Sequence, residues 1–192
     1  DFDTTETKVV FNKQGKIQKI VPVKRLMAHR LIEECMLQAN IAAAKLLLRS
    51  KKPALYRVHM GPEPEKLEQL RTFLQALGLK LGGGQSPKTR HYAELISKVQ
   101  DRPDSRLIQT VLLRSLKQAV YSPANEGHFG LAYSAYGHFT SPIRRYPDLV
   151  VHRLIVKHVL ASQTDDLEER ALQTMGAHCS MTERRADLAS RD

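Results

Sequence analysis

The sequence predicts an α+β fold, predominantly helical with a short N-terminal hairpin. Two β-branched runs flank a glycine turn near the start. Apolar residues recur at helical spacing over most of the remainder, and Gly or Pro punctuates the stretches between. The hairpin is read from Lys8-Val9-Val10-Phe11-Asn12 and Lys16-Ile17-Gln18-Lys19-Ile20-Val21-Pro22-Val23, with Gly15 supplying the positive φ of a tight turn. A two-stranded hairpin is marginal alone, so its sheet partners are expected on residues outside this chain.

A long amphipathic helix is predicted over 25–49, where Leu31, Ile32, Cys35, Met36, Ala39, Ala42, Ala43, Leu46 and Leu47 follow the i, i+3, i+4, i+7 period. The alanines suggest close packing against another backbone, and Lys51-Lys52-Pro53 stops the helix. Leu55 to His59 reads as a short strand ended by Gly61-Pro62. Pro64 in the first turn, early glutamates and Gly78 just past Leu77 outline the next helix, with Leu67, Leu70, Phe73, Leu74 and Leu77 as its apolar face.

Gly82-Gly83-Gly84 is a connection rather than a phosphate loop, because no strand feeds it and no Gly-Lys-Ser/Thr follows. Helices are predicted over 88–100 and 105–121, the second facing a core with Leu107, Ile108, Val111, Leu112 and Leu116. His128 to Tyr133 reads as a strand, 149–160 as a helix, Ser162 to Asp166 as a polar loop, and the chain from about Leu167 as a last helix. No repeat or linker marks a domain boundary.

With 192 residues and 42% hydrophobic content the chain has the material for one core. Its net charge of +10 favours a polyanionic partner. Cys35 and Cys179 are far apart in helical stretches, which favours buried thiols in a reducing cytoplasm over a disulfide. No apolar run approaches the ~20 residues that span a bilayer, and the acidic start Asp1-Phe2-Asp3 is unlike a signal peptide. The expectation is a cytoplasmic protein.

The most informative run is His138-Phe139-Thr140-Ser141-Pro142-Ile143-Arg144-Arg145-Tyr146-Pro147-Asp148-Leu149. The hydroxyls of Thr140 and Ser141 and the guanidinium forks of Arg144 and Arg145 suit a phosphodiester, since arginine offers planar, permanently charged donors. Ser141-Pro142 has the form of a helix start, whereas Pro147 lies where a helix begun at 142 needs an N–H. Either the helix starts near Pro147 or a kinked turn precedes it. In both versions free amides and the positive end of a helix dipole are expected beside the arginines. The competing reading is a capped helix start whose arginines pair with carboxylates such as Asp148. Arg145 points about 100° away from Arg144 on a helix, so it binds either a neighbouring phosphate or a structural carboxylate. Tyr146 and Asp148 read as structural; His152 is open to either reading.

That run resembles the signature of the ribonuclease II superfamily. The likeness extends to Leu31-Ile32-Glu33-Glu34-Cys35-Met36-Leu37-Gln38-Ala39-Asn40, to Tyr56-Arg57-Val58-His59 with Gly61-Pro62, and to Gln109–Ser115 followed by Gly127–Leu131. It implies the C-terminal portion of a ribonuclease II-type catalytic domain, residues 1–192, cut at both ends, from a processive 3′→5′ exoribonuclease. The alternative is a non-catalytic RNA-binding or protein-interaction segment. By resemblance Arg144 holds the phosphate at the scission point, Phe2 stacks on the terminal base and Glu34, with Glu33 as the other register, contacts the terminal nucleotide. Thr140, Ser141 and Arg145 complete the RNA-binding set.

Glu183, Arg184, Arg185 and Arg191 are further charged candidates on the last helix. The resemblance also implies Mg²⁺, with its aspartates upstream of Asp1, since the aspartates here are scattered and form no cluster. Single-stranded RNA, the rest of the catalytic domain and flanking oligonucleotide-binding modules are the expected partners.

Overall fold

A computed structural model describes residues 7–22, 26–160 and 169–189. Phe2, Arg191 and the expected polar loop at 162–166 lie outside the described residues. The chain divides into two units, 1–36 and 37–192, with one long helix running through the boundary.

In the first unit, β1 (Thr7–Phe11) pairs antiparallel with β2 (Ile17–Pro22). The connection is tied by Asn12, whose Oδ1 accepts the amides of Gln14 and Lys16 at 2.9 and 3.0 Å. Gly15 sits at φ 74°, as a turn of this hand requires. The first unit also holds the opening turns of α1 (Met27–Ser50), where Leu31, Ile32 and Met36 are exposed. Cys35 is exposed there as well, contrary to the buried thiol expected from the helical pattern, and both cysteines are free.

The second unit is organised around β3 (Tyr56–Val58), which pairs antiparallel with β4 (Val120–Ser122). The Arg57 amide donates instead to the Tyr136 carbonyl at 2.9 Å. The chain leading to the arginine run is thereby pinned to the strand. The core joins the later turns of α1 to β3, to α5 (Tyr146–Ile155) and to α6 (Glu169–Ala189) through Ala43, Ala44, Leu47, Val58, Val151, Leu154 and Leu172. Each leucine sealed there contributes roughly 1.5–3 kcal/mol of apolar burial. A Cβ at Gly176 of α6 would meet the Tyr121 carbonyl at 2.6 Å, so glycine allows this helix to approach β4. Ser180, one turn later, accepts the Tyr121 amide at 2.9 Å.

The remaining helices are α2 (Pro64–Ala76), α3 (Thr89–Val99) and α4 (Ser105–Ser115). Gly78 at φ 69° closes α2, with Gly78 N–H donating to Gln75 and Leu79 N–H to Leu74.

Several boundaries differ from the sequence reading. The helix predicted over 105–121 ends at Ser115, because Leu116 turns extended and 120–122 are taken up by β3. Leu107, expected in the core, is 55% exposed, whereas Ile108 and Leu112 are sealed. The strand predicted at 128–133 is a 3₁₀ turn, Phe129–Leu131, flanked by single bridges. Its Gly130 amide donates to His59 Nδ1 at 2.9 Å, a contact that bends the backbone around the imidazole. The helix predicted over 149–160 is α-helical to Ile155 and widens into a π turn over Val156–Leu160.

Candidate functional site

The arginine run forms a turn before α5, and two buried side chains hold it. Asn40 is 3% exposed on the core face of α1, and its Oδ1 accepts the amides of Phe139 and Thr140 at 2.8 and 3.2 Å. Its Nδ2 donates to the Tyr136 hydroxyl at 3.0 Å. Asp148, fully buried, accepts the Ser141 amide and the Arg145 guanidinium through Oδ1, each at 2.8 Å. The Ser141 carbonyl in turn accepts the amides of Arg144 and Arg145 at 3.3 and 3.0 Å.

Helix α5 begins only at Tyr146, with Arg145 as its N-cap, so Ser141-Pro142 opens a single turn instead of the helix. Both sequence alternatives for Pro147 are thus realised together. The amides of 139, 140, 141, 144 and 145 are engaged within the protein, whereas those of Ile143 and Tyr146, which flank the arginine pair, make no hydrogen bond among the described residues.

The two arginines are treated differently. Arg144 is exposed, and among the described residues its guanidinium has no hydrogen bond or ion pair. Ile143 beside it is fully exposed, at 101%. Arg145 is largely covered, its side chain 21% exposed against Asp148. That contact is the structural-carboxylate alternative left open by the sequence. Among the described residues, Thr140 Oγ1, Arg145 Nε and Asp148 Oδ2 are buried and make no hydrogen bond. Ser141 is half-buried. Tyr146, expected to be structural, is half-exposed. His152 is half-buried and satisfied within the fold, stacked on Phe139 at 4.1 Å with its Nε2 2.9 Å from the Phe139 carbonyl.

Behind the turn runs a ladder of rings. His138 Nδ1 lies 2.8 Å from the Tyr121 hydroxyl, and Tyr136 packs edge-on between His128 and His138. Burial foremost, then the positive charge of Arg145 and Arg57, holds His138 down to about 3. Burial and the neighbouring His59 hold His128 down to about 4. Both are uncharged in the fold, whereas the unfolded chain protonates them near 6.5. Their stabilisation is complete above that pH and is lost as pH falls toward 4 and then 3. The melting temperature should fall between pH 7.5 and 5, and more gently in His138→Gln. Identical slopes for the two proteins would contradict this.

Arg57 lies 4.6 Å over the Tyr121 ring and grips Glu183 with two bonds of 2.7 and 3.1 Å, clamping α6 to β3. Glu183, a charged candidate from the sequence, is therefore committed within the fold. Arg184 and Arg185 are exposed. Glu34 is exposed on α1 in the first unit. Sequence reasoning missed Asn40, although a polar residue on a core stripe is itself a signal, since buried amides are almost always bonded. A cavity of 710 Å³ bordered by Met60, Lys88, Glu126, His128 and Tyr133 includes none of the signature residues.

The fold carries an exposed arginine on an anchored turn, and the proteins it is similar to are nucleases by name. The chain belongs to the RNB domain family, whose model matches residues 1–161. It is 53% identical to Ribonuclease R of Vibrio cholerae and 51% identical to Ribonuclease R of Escherichia coli, in each case over all of this chain and 25% of the relative. The chain thus spans about a quarter of those relatives' length. Among solved structures, Mycoplasma genitalium RNase R in complex with ribose methylated single-stranded RNA matches with a TM-score of 0.90 at 30% identity. That match covers all of this chain and 31% of the other. Yeast Ssd1, a pseudonuclease, matches over 81% of this chain and 20% of its own, with a TM-score of 0.70 at 26% identity.

Nucleases of the family generally use a divalent metal. Among the described residues no three His, Cys, Asp or Glu side chains converge as a metal site. Among the described residues, no helix is long and apolar enough to cross a membrane.

Proposed function

We propose that this chain is the C-terminal portion of the catalytic domain of a cytoplasmic, processive 3′→5′ exoribonuclease, and that its part is to hold the phosphate being cleaved. The parent hydrolyses single-stranded RNA to nucleoside 5′-monophosphates with Mg²⁺, whose ligands lie in the preceding polypeptide. The carrying observation is the exposed guanidinium of Arg144, without a hydrogen bond or ion pair among the described residues, on a turn held at Ser141 and Arg145 by Asp148. Arg144 stabilises charge that develops on the phosphoryl oxygens in the transition state. Ser141 borders that phosphate with its hydroxyl, whereas the Thr140 hydroxyl, expected beside it, is buried. Arg145 adds positive charge behind the site while bonded to Asp148. Phe2 and Glu34 receive the terminal nucleotide, the ring by stacking and the carboxylate by hydrogen bonding. The rest of the catalytic domain and flanking oligonucleotide-binding modules complete the RNA path.

The likeness to a pseudonuclease favours a second reading, a segment that binds RNA or a protein partner without chemistry. End-labelled single-stranded RNA incubated with the full-length parent and Mg²⁺ distinguishes the two. Progressive shortening from the 3′ end with release of 5′-monophosphates supports the first reading. Salt-dependent binding without hydrolysis supports the second. The isolated 192-residue chain should bind RNA weakly and cut it hardly at all; rapid monophosphate release by the pure chain contradicts the division of labour proposed here.

A further inference from the structure

We infer that Asn40 is a positioning residue for the phosphate site, its side-chain amide fixing the Phe139–Thr140 backbone so that Arg144 is presented at the scissile phosphate. This rests on the reading of Arg144 given above.

Asn40 lies on the stripe of α1 that buries Ala43, Ala44 and Leu47, where an apolar residue is what the core requires. An amide there is tolerable only if it is bonded, and both acceptor positions of its oxygen are filled by consecutive backbone amides, with the Tyr136 hydroxyl on its nitrogen. The next amide, Ser141, is held by Asp148, and the Ser141 carbonyl receives the amides of Arg144 and Arg145. The Asn40 bonds at 139 and 140 and the bonds made by Ser141 are joined by the Thr140–Ser141 peptide, so the path from the core face of α1 to the backbone of Arg144 is fixed residue by residue. Two side chains from different elements specify the path of residues 139–141, and the arginine that follows projects outward from it.

Loss of the Asn40 bonds leaves two amides without acceptors and frees the loop to drift. A displacement of about 1 Å at a catalytic group costs on the order of 10²-fold in rate without abolishing binding. Turnover should therefore suffer far more than RNA affinity.

The test uses the full-length enzyme and single-stranded RNA, with each variant first shown to be folded by thermal melting. Asn40→Ala should lower kcat about 30-fold with KM changed less than about threefold. Asn40→Asp should recover kcat to within about fivefold of wild type, because a carboxylate oxygen accepts the same two amides and the Tyr136 hydroxyl turns to donate. Combined with Arg144→Ala, Asn40→Ala should add less than about threefold, since its effect passes through a guanidinium already removed.

Should Asn40→Ala not remain folded, Asn40→Ser, too short to reach both amides, takes its place under the same criteria. A folded Asn40→Ala enzyme with wild-type kcat, beside a crippled Arg144→Ala, overturns the inference alone. So does a full multiplication of the two losses, or an aspartate variant as slow as alanine. An Arg144→Ala enzyme with normal turnover removes the reading of Arg144 itself, and this inference with it.

Discussion

Replacement of Arg144 by alanine in the full-length protein is expected to lower turnover about 10³-fold while RNA affinity falls less than about tenfold. The asymmetry follows from where charge resides. Along a bound polynucleotide, one phosphate among many is neutralised by a single cation, so its loss removes only one counterion-release contribution from affinity. In the transition state the negative charge on that one phosphoryl group is redistributed toward its oxygens, and a preoriented donor aimed at them gains strength as the reaction proceeds. The structure gives Arg144 the two properties this demands: its guanidinium is exposed with no bond among the described residues, and its backbone is held by the Ser141 carbonyl. Arg144→Lys should be intermediate, retaining charge but losing the planar fork. Single-turnover rates beside equilibrium RNA binding make the measurement. Unchanged turnover in Arg144→Ala would take the arginine out of its role. A loss confined to binding would mark it as a simple anchor.

The parts of the fold readable from sequence are those set by local pattern. The hairpin with Gly15, the stop of α2 at Gly78 and the start of α5 beside Pro147, in its first turn, follow from backbone chemistry within a few residues. What depends on distant chain was not legible. β4 exists because β3 offers an edge 62 to 66 positions earlier, so its residues carry only a short apolar run that continues the α4 pattern. The 129–131 turn is shaped by His59, and Glu183 is fixed by Arg57, 126 residues away.

The candidate site shows the same division. The arginine run stands out as a string, but residue types alone do not say which arginine is free. That is decided by Asp148 three positions after Arg145, a separation that brings side chains together, and by Asn40 a hundred residues before the turn. Net charge pointed to a polyanion without locating its contact. On the proposed function, that contact falls at the exposed Arg144 and not at the covered Arg145.

Asp148→Ala should be the most damaging single change to the stability of the turn, costing about 3–5 kcal/mol. The carboxylate is fully buried and its Oδ1 serves two donors, the Ser141 amide and the Arg145 guanidinium, each at 2.8 Å. Alanine removes the acceptor for both and leaves a guanidinium only 21% exposed with its charge uncompensated. That cost exceeds the modest net worth of the pair itself, because the desolvation of Arg145 was already offset by Asp148 in the wild type and is not when the partner is gone. Asp148→Asn keeps an oxygen for the amide and forfeits the charge, so its loss should be smaller, about 1–3 kcal/mol. Arg145→Met with Asp148→Leu removes both charges and should recover most of the stability lost in Asp148→Ala. Turnover should not return in that double variant, because the Ser141 amide still lacks its acceptor and the turn bearing Arg144 is no longer fixed from that side. Denaturant unfolding of the full-length protein, with amide exchange at 139–145, separates the two effects. If Asp148→Ala lies within about 1 kcal/mol of wild type and exchange at Ser141 is unaltered, the carboxylate is not the anchor of this turn and the rigidity assigned to Arg144 has another source.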